Sequence, residues 1–115
     1  MAIENLTRNT TLAEHIISIG NPFTNIIDFL RERGLPQGYA LWISPCRTIY
    51  TTGMKMPVDI IFINSQGIVV AIYRELPPFC FADTKNEAVS AIELPAETIR
   101  NSKTQVGDRL RLSFI

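Results

Sequence analysis

Short apolar runs separated by turn residues follow one another along this chain, and their period distinguishes one helix from several strands. His15-Ile16-Ile17-Ser18-Ile19 reads as a strand closed by Gly20. Asn21-Pro22 opens a helix, because Asn caps free backbone amides and Pro is tolerated in the first turn. Phe23, Ile26, Ile27 and Leu30 recur at helical spacing, with Asn25, Asp28, Arg31 and Glu32 largely off that stripe. Gly34 ends the helix and Pro36 prevents its resumption.

After the helix the period changes. Tyr39 to Ile43 reads as a strand broken at Ser44-Pro45. Val58 to Ile63 and Ile68 to Tyr73 are two more strands, joined by the hairpin turn Asn64-Ser65-Gln66-Gly67. Both are apolar at nearly every position, which predicts cover on both faces. Ala88 to Leu94 is a further strand, and Pro95 to Ile99 begins a short helical turn. Arg109 to Phe114 alternates, with Leu110, Leu112 and Phe114 facing in and Arg109, Arg111 and Ser113 facing out. The predicted class is α+β: a mainly antiparallel, curved sheet or half-open β-barrel with one helix packed against it. Residues 1–10 are polar and read as a flexible tail, which leaves 11–115 as a single domain.

Composition narrows the possible functions. The chain has 115 residues, is 46% hydrophobic, and balances 11 basic against 11 acidic side chains. That is enough for an unaided core and too little for a second domain. Zero net charge, with aromatics not interleaved among Lys and Arg, argues against a nucleic-acid partner. The first residues, Met1-Ala2-Ile3-Glu4-Asn5, lack the form of a secretory signal, and no apolar run is long enough for a membrane span. The expected location is cytoplasmic, where Cys46 and Cys80 are free thiols. His15 is the sole histidine and no close cysteine pair exists, so neither a metal nor a cofactor is expected.

The densest chemistry lies between Ser44 and Asp59. Cys46 there is a candidate nucleophile, Tyr50 a proton donor and Asp59 a base or orienter. The ordinary reading is stronger: Thr and Tyr are common strand residues, Cys is commonly buried, and Asp before an apolar run often binds backbone amides. Glu93 is the second candidate. Period two puts it on the face of Val89 and Ala91, so it is either solvent-exposed or buried with a partner such as Lys55, Arg47 or Arg74.

In order along the chain, Gly34-Leu35, Leu41-Trp42-Ile43, Pro45-Cys46, Ile49-Tyr50-Thr51, Gly53-Met54 and Val58-Asp59-Ile60-Ile61-Phe62 follow a known pattern. Glu93-Leu94-Pro95-Ala96 and Val106-Gly107-Asp108-Arg109-Leu110 continue it. The ordered set resembles the domain-of-unknown-function family 192 of bacteria and archaea. The resemblance implies a compact α+β fold with a barrel-like sheet and no established activity. Two positions depart from the family: Tyr50 stands where a His is usual, and Glu97 where a Gly is usual. Tyr titrates near pH 10, so a family activity that needed the His would be lost or changed here. A Cβ at Glu97 requires the turn to be built without glycine.

These residues point to a non-enzymatic binding or accessory module. Its groove would be lined by the 46–59 segment, with Cys46, Tyr50, Thr51, Thr52, Met54, Asp59 and Glu93 as candidate contacts for a protein or small-molecule partner. The alternative is a small-molecule enzyme using Cys46 with Asp59 or Glu93. A third reading pairs two copies through the 109–114 edge strand, so the expected state is a monomer or a weak dimer.

Overall fold

The computed structural model describes residues 2–19, 30–84 and 87–114. Its ten strands are β1 (Ala2–Asn5), β2 (Thr10–Ala13), β3 (His15–Ile19), β4 (Tyr39–Ile43), β5 (Thr48–Tyr50), β6 (Val58–Ile63), β7 (Val69–Leu76), β8 (Phe81–Asp83), β9 (Ser90–Pro95) and β10 (Leu110–Ser113). A short helix spans Thr98–Ser102, and residues 30–33 are also helical. The helix expected over 21–33 otherwise lies outside the described residues.

The strands form a five-stranded sheet of order β3-β4-β9-β6-β7, a three-stranded sheet of order β10-β1-β2, and the pair β5-β8. Among the described residues only β3 and β4 pair in parallel, an arrangement that needs a long connection such as the one between them. The sheet-rich α+β class therefore holds. The expectation was a curved sheet or a half-open barrel; among the described residues the sheets do not close into a ring.

β6 and β9 are central, and their side chains are buried on both faces, as continuous apolar runs predict. One face carries Ala40, Ile61, Ile63, Ile92 and Leu94 against the three-stranded sheet, where they meet Ile3 and Leu110. The other carries Ile43, Ile60, Phe62 and Ala91, packed with Ile49, Met54 and Ala82. β7 departs from the expectation of double cover. It is an edge strand, so most of its side chains are only partly buried.

The 64–67 turn forms as expected. The Asn64 side-chain oxygen accepts from the amides of Gln66 and Ile68, both at 2.9 Å. Gly67 has φ +78°, and a Cβ there would lie 2.6 Å from the Leu110 carbonyl oxygen. Both the left-handed backbone and the close passage of β10 thus require glycine.

Residues 1–10 correct the largest misreading. Far from forming a loose tail, β1 is the middle strand of the three-stranded sheet, with Ile3 fully buried. The polar residue Asn5 is buried because it has partners: its side-chain amide donates to Thr104 Oγ1 at 3.1 Å and Asp108 Oδ2 at 2.9 Å. Arg8 Nε and the Gln105 amide also donate to that Asp108 oxygen, at 3.1 and 2.9 Å. Polarity here marks a satisfied buried network.

Candidate functional site

Alternation along β9 sends Ala91 and Glu93 to one face and Ile92 and Leu94 to the other. Glu93 stands in register between Leu41 of β4 and Ile60 of β6, and only 1% of it is exposed. A carboxylate so placed needs a counter-charge. Arg31, on the helical turn 30–33, supplies it: its Nη2 donates to Glu93 Oε1 at 2.6 Å. Burial pushes the Glu93 carboxyl up; the charge and hydrogen bond of Arg31 pull it back only partly, so it stays above its ordinary range. Arg31 Nε is buried and has no hydrogen-bond partner among the described residues.

This ion pair forms part of the wall of a cavity of about 290 Å³. Leu30, Leu35, Leu41, Met54, Met56, Pro57 and Val58 line it, together with Pro95 and Ala96 at the end of β9. Gly34, at φ +85°, takes a left-handed backbone at this wall, and a Cβ there would meet the flexible methyl end of Met56. Beyond Arg31 a second, polar recess is lined by Glu32, Thr52, Gly53 and Lys55. Lys55 and Glu32 face each other there at 3.6 Å, both mostly exposed.

Of the residues singled out from sequence, Met54 and Glu93 line the apolar cavity and Thr52 lines the polar recess. The others have different surroundings. Tyr50 is exposed and packs near Phe81, its cross-strand neighbour, with ring centroids 6.1 Å apart. Thr51 is fully buried; its hydroxyl lies 2.8 Å from the Pro77 carbonyl oxygen and 3.0 Å from that of Cys80, and accepts the Cys80 amide at 2.8 Å. Both Asp59 oxygens are occupied, one by the Glu75 amide and one by the Ile99 amide, each at 2.8 Å. Thr51 and Asp59 therefore brace the backbone.

Cys46 follows a cis Ser44–Pro45 bond and is half-buried, its thiol donating to the Thr48 carbonyl at 3.3 Å. Burial pushes the thiol up, the Thr48 hydrogen bond and Arg31 pull it down, Glu93 adds to the rise, and the outcome lies above the ordinary thiol value. That is opposite to the activation a nucleophile needs. No grouping of three or more His, Cys, Asp or Glu side chains suited to a metal exists among the described residues, and no helix there is long and apolar enough to cross a membrane.

Sequence reasoning missed Arg31 and the cavity wall around Leu35, Met56 and Ala96. None of Lys55, Arg47 and Arg74, the partners considered for Glu93, makes the pair. The available signal was the spacing of four from Ile27 to Arg31, which sets Arg31 at the margin of the apolar stripe.

Two solved structures share the fold. One is a protein of Sinorhizobium meliloti 1021 described provisionally as a transcription regulator, 16% identical with a TM-score of 0.72; the match covers 96% of this chain and 89% of that one. The other is a protein of unknown function from Novosphingobium aromaticivorans DSM 12444, 12% identical with a TM-score of 0.71, covering 96% of this chain and 82% of that one. No curated protein matches the chain significantly. The model of the DUF192 family, described as an uncharacterized ACR, matches residues 22–112, in the order already seen from Gly34 to Leu110, and the chain belongs to that family.

Proposed function

We propose that this protein is a non-enzymatic binding module whose ligand occupies the cleft between residues 30–37 and 54–58. The observation that carries this reading is the buried Arg31–Glu93 pair in the wall of an otherwise apolar cavity. Small-molecule sites combine apolar walls with a few fixed polar groups in this way, and a volume of about 290 Å³ lies near the lower end of their range. The groove first read along 46–59 narrows to its second half, with Met54 and Val58 on the wall. Tyr50, Thr51 and Asp59 drop out of the contact set.

The raised thiol of Cys46 and the fully engaged carboxylate of Asp59 weigh against the enzymatic alternative. The regulator description of the S. meliloti protein is not extended to this chain, because equal basic and acidic content gives no excess positive charge for DNA. Two free thiols accord with a cytoplasmic setting.

Amide chemical-shift mapping against mixed small apolar compounds tests the cleft. Shifts should concentrate at 30–37, 54–58 and 93–96 and vanish in Ala96→Trp, whose indole would fill the cavity. Shifts confined to other surfaces, or unchanged in Ala96→Trp, would overturn the assignment.

A further inference from the structure

Resting on the cleft as the binding site, we propose that its ligand is an uncharged, planar aromatic molecule of one or two rings. Charge is the first argument. Among the described residues, the charged side chains of the cavity and its polar recess are Arg31, Glu93, Lys55 and Glu32, and they face one another as two pairs, at 2.6 and 3.6 Å. An ionic ligand would bring an unmatched charge into apolar surroundings or break a buried pair. A neutral one does neither.

Size is the second argument. An apolar protein cavity of roughly 150 Å³ takes benzene. This cleft, at about 290 Å³, is nearly twice that and suits a bicyclic molecule.

Surface chemistry is the third. Two thioethers line the cavity, Met54 buried and Met56 half-exposed, and sulfur makes favourable contacts with aromatic rings. Arg31, whose side chain is 15% exposed, also lines the cavity, and a guanidinium is a planar cation able to stack on a ring face. The leucine, valine and proline walls would hold an aliphatic chain equally well. Sulfur and guanidinium therefore decide between aromatic and aliphatic ligands.

Titration of the whole protein with indole, octan-1-ol and 1-naphthoate, followed by amide shifts, separates the possibilities. Indole should bind at the cleft at least several-fold more tightly than either of the others. The double substitution Met54→Leu and Met56→Leu, which keeps the apolar volume, should weaken indole by about threefold per sulfur and leave octan-1-ol unchanged. If octan-1-ol or 1-naphthoate binds in the cleft as well as indole, the site stands and the ligand class is wrong. Equal loss of indole and octan-1-ol in the double variant, or no loss of either, also overturns the aromatic assignment. If none of the three perturbs 30–37, 54–58 or 93–96 at millimolar concentration, both the ligand class and the cleft are overturned.

Discussion

Glu93 and Arg31 show how a single residue's surroundings decide what it can do. The carboxylate is buried in the middle of the main sheet, where its charge is tolerable only because Arg31 meets it. Arg31→Met should therefore cost about 3 kcal/mol at neutral pH, since it strands a buried anion. Glu93 already titrates above its ordinary range, and without Arg31 it would take up a proton at still higher pH. The penalty should then shrink as pH falls and Glu93 becomes neutral in both proteins. Urea unfolding of the two proteins across pH checks this, and a pH-independent penalty would show that the charge is not its source. Period two along β9 put Glu93 on an apolar face but left open whether that face was exposed or buried. The identity of its partner was not legible, because the two residues lie 62 apart in sequence and a sequence pattern does not report which loop returns to which strand.

Among the elements, legibility followed the length and apolar content of each run. β3, β4 and β6 match their sequence-derived limits, and the 64–67 turn formed from its own side-chain chemistry. β1 was missed because one of its two inward residues is the polar Asn5, and β2 because its buried residues Leu12 and Ala13 are adjacent and show no alternation. β5 and β8 were missed because three-residue strands are too short to show one. A short helical turn was anticipated from Pro95, but the helix forms later, over Thr98–Ser102. Its left-handed cap is the position where the family usually has Gly and this chain has Glu97. That residue takes φ +76° with no side-chain cap, and Asp59 serves the Ile99 amide instead. A left-handed residue with a Cβ is strained, so Glu97→Gly should stabilise the protein by about 0.5 kcal/mol despite greater chain freedom when unfolded. The exposed Glu97–Arg100 contact it removes contributes little. Thermal melts of the two proteins decide the matter; a lower midpoint in the glycine variant would show that the turn is not strained.

For the whole molecule, Asp108 ties the two ends of the described chain together through Asn5, Arg8 and the Gln105 amide. Burial pushes its carboxyl up, but the hydrogen bonds from those groups and the charge of Arg8 outweigh burial and hold it below the ordinary Asp range. Stability from this group is present above about pH 3.9 and is lost as pH falls through the lowered value. Glu93 works the other way: its contribution is present below about pH 4.3 and is lost as pH rises through its raised value. Asp108→Asn should lower stability most at neutral pH, with the gap to the parent closing in acid. Denaturant titrations at several pH values read that gap, and a constant difference would remove Asp108 as a source of acid sensitivity.

The place of β1 between β2 and β10 also has a consequence for synthesis. Asn5 and Asp108 lie 103 residues apart, so the partner network of β1 is made long after β1 itself leaves the ribosome. Until β10 emerges, Ile3 and one edge of β1 have no native cover, and that edge is a template for mispairing with another nascent chain. The β1–β2 hairpin therefore waits, and it carries a charge of each sign, Glu4 within β1 and Arg8 in the turn, of the kind that disfavours such mispairing.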